Sequence, residues 1–169
     1  DTLTIILENV FNKITSFPYL NNCNSLSGYS VLTEATAGKN ALWGKSTGVK
    51  PNGNANDTAY ASDFYNGSAG SREVLRTPEI NLSSLVNPVL YFYIAYKTNT
   101  GGQQDTMQVM LSTDGGLNFF SATTVYDKSE SSVPSLSTRT GSATAFTPDS
   151  AIQYRHETIS LANVAGQSN

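Results

Sequence analysis

The sequence predicts an all-β protein, a two-sheet antiparallel sandwich. Apolar residues alternate with polar ones in several short segments, turn-forming residues follow those segments, and no segment carries the repeat of an amphipathic helix. Long polar stretches at residues 38–70 and 128–148 separate the strands, as the loops of a sandwich do. The chain has 169 residues and no internal repeat or linker, so we expect a single domain over residues 1–169.

The first predicted strands occupy residues 2–10 and 74–80. Pro78 has no amide to donate to a sheet, so the second of these is predicted to be an edge strand or an irregular one.

A further strand, predicted at residues 89–96, is apolar on both faces. One face carries Val89, Tyr91 and Tyr93, and the other carries Leu90, Phe92 and Ile94. This pattern predicts a strand in the middle of a sheet, buried on both sides.

A hairpin is predicted at residues 106–126. Met107, Val109 and Leu111 share one face of its first strand. The turn sequence Thr113-Asp114-Gly115-Gly116 follows, and residues 119–126 form the predicted return strand. The last predicted strand spans residues 152–161.

Composition excludes several classes of function. Charged residues make up 14% of the chain and the net charge is −3, without a basic block, so nothing predicts nucleic-acid binding. No apolar run approaches the ~20 residues of a membrane-spanning helix. The single cysteine, Cys23, cannot form an internal disulfide.

Several short motifs are informative through their order. They are residues 7–9 (LEN), 75–83 (LRTPEINLS), 87–92 (NPVLYF), 105–109 (DTMQV), 112–116 (STDGG), 158–161 (TISL) and 165–167 (AGQ). In this order they resemble the cleaved-adhesin, MAM-like jelly-roll domains of Bacteroidetes exported proteins, including the adhesin domains of gingipain-type proteases. The resemblance implies a jelly-roll topology for the predicted sandwich.

The chain departs from the family pattern in two places. Glu157 stands where the family places an inward apolar residue. The sequence ends soon after AGQ, where the family continues into strands that complete both sheets. We therefore expect a jelly roll that lacks its final strands, completed by a following segment, a second chain or a partner.

No motif predicts catalysis. His156 is the one histidine, and it falls within a predicted strand, so the expected role is that of an ordinary strand residue. Paired carboxylates for glycoside hydrolysis would need a cleft, and the spacing singles out no pair of acids. We therefore expect a protein that is not an enzyme.

Calcium is the expected cofactor, because the loops supply the carboxylate and amide oxygens that it prefers. The resemblance implies Glu8 as the first ligand, and Asp63 is the second candidate. The alternative is that Glu8 is a solvated strand carboxylate.

Ligand binding is predicted at an aromatic patch in the first long loop. Its residues are Tyr60, Asp63, Phe64, Tyr65 and Asn66. Such side chains suit carbohydrate or protein contacts, because rings supply flat apolar surface and amides and carboxylates bind hydroxyls. The alternative is that these rings hold the loop against the sandwich.

Triplets of Asp, then Ser or Thr, then an apolar residue resemble the O-glycosylation sequon of Bacteroidetes periplasmic proteins. They place candidate sites at Thr58, Thr106 and Ser150.

Together these features predict a non-catalytic binding module of a secreted or cell-surface bacterial protein, which contacts a host protein, matrix or glycan through its loops. One alternative is a carbohydrate-binding module of a secreted hydrolase. Another is a structural accessory domain of a secreted protease.

Overall fold

The computed structural model describes residues 13–33, 43–49, 51, 53, 57–67, 70, 72–101, 104–119 and 123–168. Within these residues the regular structure consists of β-strands and two 3-10 helices of three residues each. The strands are β1 (Ser30–Thr33), β2 (Gly44–Thr47), β3 (Thr58–Ala61), β4 (Glu73–Arg76), β5 (Val89–Ile94), β6 (Met107–Met110), β7 (Thr124–Lys128) and β8 (Arg155–Ser160). The all-β prediction is confirmed, and the strand predicted at residues 2–10 lies outside the described residues.

The strands form antiparallel pairs, as expected for a sandwich. β1 pairs with β4, β2 with β3, β5 with β8, and β6 with β7. Two isolated parallel β-bridges join residues outside the strands. One pairs Ile14 with Ile80, and the other pairs Lys97 with Arg139. Pro78 therefore lies between the end of β4 and the Ile80 bridge, in line with the prediction of an irregular strand.

The main core lies between the β5–β8 pair and the β6–β7 pair. Its buried members are Leu82, Tyr126, Ile159 and Leu161. Half-buried side chains surround them, among them Leu90, Phe92, Met107, Val109 and Leu111. The prediction that Met107, Val109 and Leu111 share one face is confirmed, and that face packs against the core.

The expected two-sided burial of residues 89–96 is wrong. In β5 burial alternates, and the side chains of Val89, Tyr91 and Tyr93 are 39%, 60% and 54% exposed. Only the face of Leu90 and Phe92 meets the core. Apolar periodicity led to the wrong expectation because tyrosine counts as apolar in the pattern, while its hydroxyl lets the ring lie at a wet surface.

The turn predicted after β6 is confirmed. The Oδ1 atom of Asp114 accepts hydrogen bonds from the amides of Leu117 and Asn118, both at 3.1 Å. Gly115 and Gly116 adopt φ values of 70° and 79°, which glycine reaches without steric cost. The return strand β7 begins at Thr124, later than predicted.

Glu157 points inward, at the position where the family resemblance implies an apolar residue. It is 8% exposed, and it accepts hydrogen bonds from Lys128 Nζ and Arg155 Nε. Arg155 also donates to the carbonyl oxygens of Ser137 and Leu136, at 3.2 and 3.4 Å. The buried carboxylate thus joins β8 to β7, and Arg155 attaches the loop before it.

Candidate binding surface

The outer face of the β5–β8 pair presents an unusual set of exposed side chains. Residues at alternate strand positions share a face, and the register places Val89 opposite Ser160, Tyr91 opposite Thr158, and Tyr93 opposite His156. All these side chains are exposed. The strand register therefore brings together residues from two distant parts of the chain.

Three rings on this face form a continuous group, which we term the aromatic platform (Tyr91, Tyr93 and His156). The ring centroids of Tyr91 and His156 lie 5.4 Å apart and their planes differ by 12°. The ring centroids of Tyr93 and His156 lie 5.1 Å apart with planes at 49°. His156 thus contacts both tyrosines, one of them directly opposite and the other diagonal across the pair.

The chemistry of this face combines flat rings with polar atoms. The tyrosine hydroxyls and the imidazole nitrogens can donate or accept hydrogen bonds, as can the hydroxyls of Thr158 and Ser160. No Asp, Glu, Lys or Arg occupies the six paired positions that form this face, Val89, Tyr91, Tyr93, His156, Thr158 and Ser160. The surface is therefore suited to a ligand that offers both apolar area and hydrogen-bonding groups.

The loop patch predicted from the sequence forms a tight turn at residues 63–66. Asn66 Nδ2 donates to Asp63 Oδ2 at 2.6 Å, and the Asn66 amide approaches Asp63 Oδ1 at 3.4 Å. The Tyr65 side chain is 47% exposed, and its hydroxyl donates to the carbonyl oxygen of Ala143 at 3.2 Å. Phe64 is half-buried. The turn is thereby attached to the second long polar loop.

Tyr60 lies in β3 and makes contacts of its own. Its hydroxyl donates to the carbonyl oxygen of Ser25 at 2.6 Å and accepts from Asn21 Nδ2 at 3.0 Å. Its ring lies 5.3 Å from that of Tyr29, and burial raises its pKa. The contacts of Tyr60 and Tyr65 are compatible with the alternative role considered above. Ligand binding by the patch stays a prediction.

The metal prediction concerns one described residue. Glu8 lies outside the described residues, and Asp63 binds Asn66 in the exposed turn. In the part of the chain that the structure describes, no three residues among His, Cys, Asp and Glu are grouped to hold a metal ion.

The candidate glycosylation sites differ in accessibility. Thr106 is exposed immediately before β6. The hydroxyl of Thr58 donates to the Asn22 carbonyl oxygen at 2.6 Å. Ser150 is half-buried at the start of the 3-10 helix Ala151–Gln153, and its amide donates to Gln153 Oε1 at 3.1 Å. Among the three, Thr106 is the one exposed residue.

The sequence analysis did not predict the aromatic platform. Its one local signal is the choice of tyrosine at both Tyr91 and Tyr93, where a buried face would more often carry aliphatic residues. The contribution of His156 required the pairing of β5 with β8, which no local pattern specifies.

Comparison of the chain with models of protein families, with curated proteins and with solved structures gives no match. Among the described residues, no helix has the length and apolar character needed to cross a membrane.

Proposed function

We propose that this chain is a non-catalytic binding module of an exported bacterial protein, folded as an adhesin-type, MAM-like jelly-roll sandwich. The observation that carries the proposal is the aromatic platform, held open to solvent on the outer face of the β5–β8 pair. The antiparallel pairing of the strands and the order of the sequence motifs support the jelly-roll topology.

Exposed aromatic groups of this kind favour recognition of a partner. Large contiguous apolar patches on a protein surface commonly mark binding sites, and tyrosine is enriched where binding energy is concentrated. The platform belongs to two paired strands, so the backbone beneath the rings is fixed, and the contacts of His156 with Tyr91 and Tyr93 restrict the rings themselves. Little side-chain freedom would then be lost on binding.

The position of His156 favours binding over catalysis. A histidine that activates a nucleophile needs a hydrogen-bonded partner and a site that excludes water. His156 is the only imidazole of the chain, and it lies on an open strand face in contact with two tyrosine rings.

The proposal is tested by binding of the purified protein to immobilised extracellular-matrix proteins and to a glycan array. The informative variant carries Tyr91→Thr, Tyr93→Thr and His156→Thr together, because threonine keeps the strand preference and removes the rings. We expect binding to at least one class of ligand, weakened about ten-fold or more in the triple variant, as expected for loss of central aromatic contacts.

Tyr19→Ser is the matched control. Tyr19 is 48% exposed, similar to Tyr93, but does not belong to the β5–β8 face. Circular dichroism and thermal melting of each variant would establish that the fold is retained. No binding by the wild type, or equal binding by the wild type and the triple variant, contradicts the proposal.

Calcium is kept as part of the proposed function, with Glu8 and Asp63 as its candidate ligands. A bound ion stabilises the folded state in proportion to its occupancy. We expect the melting temperature to rise in calcium relative to chelator, and this difference to disappear in Glu8→Gln. Equal melting temperatures of the wild type in calcium and in chelator would remove calcium from the proposal.

A further inference from the structure

We infer that the aromatic platform binds a neutral carbohydrate chain that lies along β5. This inference rests on the proposed function and assigns its ligand class. It places the site on a sheet face, away from the loop patch that the sequence predicts.

The first argument is charge. The six paired positions of the outer β5–β8 face carry no carboxylate, ammonium or guanidinium group. An anionic polysaccharide would find no cation there, and charged ligands are typically held by Arg or Lys. A neutral ligand needs no charged partner, so the absence of charged side chains at these positions favours a neutral ligand over an anionic one.

The second argument is size. A stable protein–protein interface uses about 20–30 residues on each side, whereas this face offers six paired positions. The platform is thus small for a protein partner. It is of suitable size for a short oligosaccharide, which gains its affinity from a few stacked rings and hydrogen bonds.

The third argument is geometry. Alternate residues of a strand are about 6.6–6.8 Å apart, so Tyr91 and Tyr93 offer two rings in a row along β5. His156 lies beside both rings, within 5.4 Å of each centroid. Tyr91 and His156 are stacked on each other, so the C–H groups of sugar units would pack against the ring surfaces of this row that remain exposed.

The fourth argument concerns the polar groups of the face, which can form hydrogen bonds with a carbohydrate. The hydroxyls of Thr158 and Ser160 lie along β8, opposite Tyr91 and Val89. Hydroxyl groups both donate and accept hydrogen bonds, as sugar hydroxyls do. A carbohydrate chain along β5 would therefore meet apolar rings on one side and matching hydroxyls on the other.

The test is affinity electrophoresis in native gels that contain a single polysaccharide. The neutral probes are β-glucan, xyloglucan and mannan, and the anionic probes are heparin, hyaluronan and polygalacturonate. We expect retardation of the wild type by at least one neutral polysaccharide. The variants Tyr91→Thr and Tyr93→Thr should each weaken binding about ten-fold, and Tyr19→Ser should leave it unchanged.

The outcomes separate this inference from the proposed function. Platform-dependent binding only to matrix proteins or anionic polysaccharides overturns the inference and leaves the proposed function standing. Binding to a neutral polysaccharide that is lost in Tyr65→Ser but retained in Tyr91→Thr and Tyr93→Thr also overturns it, because the site would then be the loop patch. Absence of platform-dependent binding to every probe overturns both.

Discussion

The ammonium group of Lys128 lies 2.9 Å from both carboxylate oxygens of Glu157, in the interior between two strand pairs. Lys128 ends β7 and Glu157 lies in the middle of β8, so this contact joins the β6–β7 pair to the β5–β8 pair. The side chains are only 15% and 10% exposed, and Arg155 Nε adds a third hydrogen bond at 2.7 Å. The aromatic platform lies on the opposite face of the β5–β8 pair.

Glu157→Gln is expected to destabilise the protein by about 3 kcal/mol, because removal of one member of a buried ion pair leaves the other charge uncompensated. The measurement is chemical denaturation of both proteins at neutral pH. Glu79→Gln is the matched control, since Glu79 pairs with Lys13 at 3.5 Å on the surface, and such pairs contribute less than about 1 kcal/mol. Equal effects of the two substitutions would contradict the structural role of Glu157.

The protein is expected to become less stable in acid because the Glu157 carboxylate takes up a proton. Burial opposes ionisation of Glu157, but the hydrogen bonds from Lys128 and Arg155 outweigh it and lower its pKa from the ordinary value of 4.5. A group whose pKa is lower in the folded state contributes stability above its unfolded pKa and loses it as the pH falls through the folded value. The free energy of unfolding should therefore fall as the pH drops below 4.5.

The free energy of unfolding of the Glu157→Gln variant should fall less steeply over the same pH range, because glutamine takes up no proton. Part of the decrease should persist, since hydrogen bonds from Ser112 and Asn118 lower the pKa of Asp114 to about 2. Parallel pH profiles for the wild type and Glu157→Gln would mean that this carboxylate is not linked to folding.

The turn after β6 provides a test of backbone conformation. Gly116 has a φ of +79°, and a Cβ there would lie 3.4 Å from the Arg76 guanidinium. Gly116→Ala should cost about 1–2 kcal/mol, because an alanine is strained in the left-handed region. A Cβ at Gly44, in β2, would meet no atom within 4 Å, so Gly44→Ala should be neutral or up to about 1 kcal/mol stabilising. Thermal melting of both variants measures the two effects. A Gly116→Ala variant as stable as Gly44→Ala would contradict the requirement for glycine at position 116.

Thr106 is expected to be the first of the candidate threonine and serine sites to carry an O-linked glycan. Thr106 is an exposed residue, whereas Thr58 is half-buried and its hydroxyl donates to a backbone carbonyl oxygen. Expression in a Bacteroidetes host followed by mass spectrometry of the intact protein would show one glycan that disappears in Thr106→Ala. Thr58→Ala is the control and should keep that glycan. A glycan that is lost only in Thr58→Ala or Ser150→Ala would show that accessibility does not select the site.

Local patterns predicted much of the fold. The hairpin turn was predictable because Asp114 and the two glycines after it specify their own backbone conformation. The inward face of β6 was predictable because side chains alternate along a strand. Glu157 also follows this alternation: it lies on the inner face of β8 together with Ile159.

The sequence by itself determined β4, β5, β6, β8 and the turn after β6, because those depend on neighbouring residues. It did not predict β1, and β2 and β3 lie within residues 38–70, so the prediction that this whole stretch is a loop is wrong. Only the tertiary structure decided that β5 pairs with β8, that the face of Tyr91 and Tyr93 is open, and that Lys128 neutralises Glu157. Alternation assigns a residue to one of two faces, but which face is covered depends on the layer packed against it. That layer comes from distant parts of the chain, so the candidate binding surface became visible only in the folded protein.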